Sequence, residues 1–144
     1  MGGYSIEEIK EAGYSAKELR SIGKYDLNTL NKLGYGPSDL RQADYTAEDL
    51  KALGYSAMDL KLVGYGLVDL VAAKFSVQEL KSAQFSVNDM KAVGITLHAL
   101  RNAGYPLAGL KAAQFTFQEL MGVGFNLYDL RLAGFTAKEV CIYL

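Results

Sequence analysis

The sequence predicts an all-α helical solenoid, and three observations carry that prediction. A ten-residue period runs through the chain, a glycine–aromatic pair marks most unit boundaries, and one place in every unit holds a large aliphatic residue. Cut before each glycine–aromatic pair, the first unit is Gly3-Tyr4-Ser5-Ile6-Glu7-Glu8-Ile9-Lys10-Glu11-Ala12, the second runs from Gly13 to Ile22, and fourteen units reach Tyr143. One residue, Lys24, is inserted after Gly23. Self-similarity at a fixed period is the signature of a repeat architecture.

Each place in the unit has its own chemistry. Position one is Gly in ten units, with Asp44, Lys74, Gln84 and Gln114 in the others. Position two is aromatic everywhere except at Ile95. Position three is Ser, Thr, Asp or Asn in eleven units, and Gly36, Gly66 and Pro106 in the rest. Position six is acidic in eleven units and position eight is Lys or Arg in ten. Position seven is Leu, Ile, Met or Val without exception, and positions four and ten are mostly small or branched apolar residues.

A strand reading fails on phase. Alternation would group Tyr14 and Ala16 with Glu18 and Arg20 and send Leu19 to the opposite face. Helical spacing instead gathers positions four, seven and ten on one stripe. The local signals agree from one end of the unit to the other. Ser15 is a good N-cap, and Glu18 three residues on completes a capping box. Tyr14 at N′ and Leu19 at N4 form a hydrophobic staple. Gly23 falls at C′, where a left-handed residue stops the helix, and in most units the next aromatic follows at C″. One aromatic therefore staples the helix after it and seals the helix before it.

Helices of about seven residues are well short of the roughly 12–15 that isolated helices need in water. Stability must come from stacking neighbouring units, as in other solenoids. Glu18 and Arg20 are two apart and do not face each other on one helix. The expected partners of such acids and bases are opposite charges one turn above or below. Substitutions that recur at thirty residues, such as Gly36 with Gly66 and Gln84 with Gln114, favour three helices per turn, with two per turn the alternative. The array resembles tandem helical repeat proteins in general architecture. Its unit is far shorter than the roughly 33–47 residues of ankyrin, TPR, HEAT or armadillo units, so nothing carries over from those families.

Composition narrows the function classes. A chain of 144 residues reads as a single repeat domain over 1–144. Net charge is −1 with acids and bases interleaved, and a nucleic-acid partner would require a basic face. No apolar run approaches a membrane span, and no signal-peptide pattern opens the chain. Cys141 is the single cysteine, so no internal disulfide framework exists and a reducing, cytoplasmic compartment is expected. The fifteen glycines accompany ten tyrosines and six phenylalanines, which is not the composition of a disordered Gly-rich chain.

No constellation of catalytic, cofactor or metal-binding residues emerges. His98, the one histidine, takes position five, opposite the core stripe, with neither pocket nor orienting partner in view. Gly34-Tyr35-Gly36 and Gly64-Tyr65-Gly66 start like dinucleotide fingerprints, but lack a third glycine and a preceding strand. The expectation is a non-enzymatic scaffold that binds another protein. The alternatives are a structural element that associates end to end through its C-terminal repeat, or a designed array. The Lys24 slip and irregular substitutions speak for natural divergence. With three helices per turn, Val68, His98 and Tyr128 would stack in one column beside Leu132, giving a partner-binding face anchored by Tyr128 and Leu132. The final Cys141-Ile142-Tyr143-Leu144 fits the C-a-a-X pattern and marks Cys141 as a candidate for lipidation.

Overall fold

A computed structural model describes residues 6–141 of the chain. Among them every regular element is a short helix: α1 (Ile6–Glu11), α2 (Ala16–Ser21), α3 (Leu27–Lys32), α4 (Pro37–Gln42), α5 (Ala47–Ala52), α6 (Ala57–Leu62), α7 (Leu67–Ala72), α8 (Val77–Ser82), α9 (Val87–Ala92), α10 (Leu97–Asn102), α11 (Leu107–Ala112), α12 (Phe117–Gly122), α13 (Leu127–Leu132) and α14 (Ala137–Cys141). They group into two compact units, the first ending at Phe75 and the second beginning at Ser76.

Each helix starts and stops as its unit predicts. The Ser15 hydroxyl accepts from the Glu18 N–H at 3.2 Å, and the Glu18 carboxylate accepts from the Ser15 N–H at 2.8 Å. The same reciprocal box recurs at Thr46 with Asp49, Ser56 with Asp59, Ser76 with Glu79, Ser86 with Asp89 and Thr116 with Glu119. Gly36 and Gly66 have no hydroxyl to contribute, yet their N–H groups still donate to Asp39 at 2.9 Å and Asp69 at 2.8 Å.

The stop is a Schellman motif. After α3 the Tyr35 N–H donates to Leu30 O at 3.2 Å and the Gly34 N–H to Asn31 O at 3.0 Å. The corner residue takes a left-handed backbone conformation, at Gly34 with φ of 86° and equally at Gln114 with φ of 60°. Asp44, Lys74 and Gln84 hold the same conformation without being glycine, so the geometry belongs to the corner and not to the residue.

The stripe of positions two, four, seven and ten is the core of each unit. In the first, Leu30, Leu40, Leu50, Leu60 and Leu70 have no exposed surface; in the second, Leu80, Met90, Leu100, Leu110 and Leu120 have none. Around them pack Ala43, Ala47, Ala57, Tyr65 and Phe75 in the first unit, and Ala83, Val87, Tyr105, Phe115 and Phe117 in the second.

The turn of the solenoid corrects one expectation. Within the first unit α2 packs on α4 and α5 on α7, so two helices make a turn, not three. The polar bonds between turns give the same answer in both units. The Tyr65 hydroxyl donates to Tyr45 O at 2.5 Å and the Tyr105 hydroxyl to Phe85 O at 2.9 Å, each spanning 20 residues. The thirty-residue echoes are substitutions at corners and N-caps. Those sites accept several residue types and carry no information about which helix lies above.

Truncating Leu70 to Ala removes a wholly buried side chain. The expected loss is about 2–5 kcal/mol of unfolding free energy, read from the urea midpoint at unchanged slope.

Candidate functional site

The cations at position eight build the main contact between turns, and sequence reasoning assigned them other partners. Lys51 Nζ donates to Ala73 O at 3.2 Å and Lys74 O at 2.6 Å, the carbonyls that α7 leaves unpaired at its C-terminal end. The same ammonium lies 4.5 Å from the Phe75 ring centroid. Lys81 repeats this on the corner after α10, with Ala103 O at 3.0 Å, Gly104 O at 2.7 Å and the Tyr105 ring at 5.5 Å. Arg20 engages Ala43 O and the Tyr45 ring, and Lys111 engages Gly134 O and the Phe135 ring. Lys91 and Arg101 do likewise at the corners after α11 and α12.

A positive charge at a helix C-terminus opposes the negative end of the helix dipole. Resting over an aromatic face adds cation–π attraction. Both rewards are available at one place only, the left-handed corner followed by its aromatic. That is why the bases leave the acids. Among the described residues Lys111 with Glu139 at 3.8 Å is an ion pair of the expected cross-turn kind, and Lys17 at position five pairs with the corner residue Asp44 at 3.0 Å. Glu139, like Glu18, Asp49, Asp59, Glu79, Asp89 and Glu119, is also bound to its own N-cap residue.

Those caps hold the carboxyls below their ordinary pKa values. For Glu18 and Asp59 the chief cause is the Ser15 or Ser56 hydroxyl, then the backbone N–H of the same serine. For Glu119 and Glu139 the backbone N–H of Thr116 or Thr136 leads and its hydroxyl follows. Burial moves the Tyr35, Tyr65 and Tyr105 phenols the other way, above their ordinary value, so they remain protonated donors.

Two helices per turn redistribute the outward residues. In the second unit α9, α11 and α13 form one layer, and their positions five and nine are Asn88, Ala92, Ala108, Ala112, Tyr128 and Leu132, all exposed. No residue among these six is charged. Tyr128 is 70% exposed and Leu132 71%. The other layer, α8, α10 and α12, presents Gln78, Ser82, His98, Asn102, Gln118 and Gly122 at the same places.

His98 and Tyr128 therefore do not stand in one column. His98 and Tyr128 stand on different layers of the second unit, while Val68 belongs to the first and is 69% exposed there. Tyr128 and Leu132 do share a face, joined by Ala108 and Ala112. The motif at Cys141 falls outside the described residues beyond the backbone of Cys141 itself. Among the described residues no group of three His, Cys, Asp or Glu converges as a metal site, and no helix is long and apolar enough to cross a membrane. A groove of the first unit, 670 Å³ between Arg41, Tyr45, Glu48 and Tyr65, is open and edged by acids and a base together.

Short capped helices with glycine or polar corners, repeating every ten residues around an aliphatic spine, define a tandem helical repeat protein. The chain matches the Decapeptide repeat region family over residues 3–76, 54–127 and 85–141, and it belongs to that family. No curated protein and no solved structure matches it.

Replacing Lys51 with Met keeps the stem and removes the charge. A loss of about 1–2 kcal/mol is expected from the urea midpoint, since a charge-assisted bond at a helix end and a ring contact disappear together. Acid should act through the caps. A carboxyl held below its unfolded value stabilises the fold fully above that value, and the gain is lost as pH falls through the lowered one. The urea midpoint should stay level from neutral pH down to about 5 and fall below about 4. A Glu18→Gln, Asp59→Asn variant should show a shallower fall.

Proposed function

We propose that the chain is a non-enzymatic scaffold that binds another protein through the outer face of α9, α11 and α13. One observation carries the reading: Ala108, Ala112, Tyr128 and Leu132 hold positions five and nine of α11 and α13, and Tyr128 and Leu132 expose about seven tenths of their surface. Large aromatic and aliphatic anchors amid small residues are the composition of a protein-interaction hot spot. The contrast with the polar α8–α10–α12 layer makes the surface one-sided. Solenoids commonly use such extended faces for recognition. The interleaved charges of the chain offer no basic stripe for nucleic acid, and a cytoplasmic partner is consistent with the lone cysteine.

The test is affinity capture from cells that produce the protein, with captured proteins identified by mass spectrometry and binding then measured with the purified partner. Tyr128→Ala with Leu132→Ala should weaken binding at least about tenfold, the effect of losing two interface anchors. His98→Ala should leave it unchanged. Binding that survives the double substitution overturns the reading.

A further inference from the structure

Lys24 breaks the period of the chain, and the corner that carries it breaks the pattern of backbone bonds. From α3 to α13 each corner closes with two of them. After α6 the Gly64 N–H donates to Lys61 O and the Tyr65 N–H to Leu60 O, both at 3.0 Å. After α7, where the corner residue is a lysine, the Lys74 N–H donates to Val71 O at 2.9 Å and the Phe75 N–H to Leu70 O at 3.1 Å. After α2 only the first bond is made, from the Gly23 N–H to Arg20 O at 2.9 Å. Gly23 is left-handed at φ of 72°, so the stop itself is normal. Lys24 then stands where the aromatic belongs, and Leu19 O receives no second bond.

The loss continues into the next helix start. At regular units the N-cap N–H meets an acid, as Ser56 meets Asp59 at 2.9 Å and Gly66 meets Asp69 at 2.8 Å. In α3 that place is Thr29, and the first turn holds no acid. The Asp26 carboxylate still accepts from the Thr29 N–H at 2.7 Å, but the Asp26 N–H has no carboxylate to meet. Lys24, Tyr25 and Asp26 are therefore three consecutive amides with no acceptor among the described residues. Lys24 and Asp26 are exposed and Tyr25 is half-buried. The Lys24 ammonium grips no corner carbonyl and lies 6.0 Å from the Tyr25 ring centroid.

We propose that this corner is a modification site, the Lys24–Tyr25 amide being the bond at which the folded chain is open to an endoprotease specific for basic residues. Proteases take backbone that opens locally, and exposed segments with few hydrogen bonds open most readily. Lysine supplies the side chain that such an enzyme recognises, and the slipped corner supplies the backbone. The step is hydrolysis: water adds across the amide, leaving a carboxylate on Lys24 and an amine on Tyr25. The other exposed cations lack one requirement. Lys17, Lys32 and Lys138 lie within helices. Lys74 sits on a corner and is exposed, but that corner keeps both bonds and its carbonyl accepts from Lys51 at 2.6 Å. The site is independent of the α9–α11–α13 face.

Limited digestion of the full native chain with trypsin, read by intact mass, tests this with Lys74 as the internal control. Both lysines are exposed and both precede an aromatic residue, so the two bonds differ chiefly in how the corner is held. The first cut should fall after Lys24, giving residues 1–24 and 25–144, at a rate at least about tenfold that at Lys74. Amide hydrogen exchange gives a second measure on the uncut chain. The Tyr25 amide should exchange at least about tenfold faster than that of Phe75.

Two variants separate the lysine from the slip. Lys24→Gln removes the recognised side chain and keeps the extra residue, so the cut should vanish while Tyr25 exchange stays fast. Deleting Lys24 restores the ten-residue spacing and should slow Tyr25 exchange about tenfold or more, as a new bond to Leu19 O forms. Equal cutting at the two lysines, a first cut at Lys74 or within a helix, or a Tyr25 amide as protected as that of Phe75 overturns the proposal. So does a folded Lys24 deletion whose Tyr25 exchange is unchanged.

Discussion

The cation that reaches from one helix to the corner two helices on is the interaction on which this architecture depends. A six-residue helix leaves most of its carbonyls without intrahelical partners, and its own caps contribute too little to hold it. Lys51 and Lys81 answer that deficit from a neighbouring turn, placing charge where the dipole and unpaired oxygens require it. The corner prepares the site in advance. Its left-handed residue turns the chain so that the last carbonyls face outward, and the aromatic that follows supplies a floor for the ammonium. Tyrosines such as Tyr65 and Tyr105 return the connection by donating to the loop twenty residues earlier.

That reach sets the period of the solenoid, and the period sets the surface. Position seven packs inward in the described helices, and most position-eight cations are committed to a corner. Positions five and nine are left to vary. With two helices per turn, alternate units contribute to the same layer, so one layer can become apolar while the other remains polar. The second unit shows the result, with Ala108, Ala112, Tyr128 and Leu132 on one layer and Gln78, His98, Asn102 and Gln118 on the other. A scaffold of this kind changes its binding face without disturbing its spine.

The exceptions at position eight follow the same logic. Asn31 carries no charge, yet its side-chain oxygen accepts from the Tyr55 hydroxyl at 3.0 Å, so an amide and a phenol replace a cation and a ring face. The spacing is twenty-four residues, as from Lys51 to Phe75. The thirty-residue recurrence of Gly36 with Gly66 falls at N-caps, which tolerate several residue types and do not constrain stacking.

Local features were legible in the amino-acid order without a fold. Capping boxes, left-handed stops, aromatic seals and the aliphatic spine depend on residues within ten of each other, as Ser15, Glu18, Leu19 and Gly23 do. Which helix lies above which was settled only in three dimensions, because side chains such as Lys51 and Arg20 make that choice by reaching more than twenty residues along the chain. Charge signs suggested that these bases would seek acids. Packing brought them instead to carbonyls and rings, groups that every sequence contains and none advertises. The outer face inherits that dependence: Tyr128 and Leu132 were readable as outward apolar residues, but only the two-helix turn made Ala108 and Ala112 their neighbours.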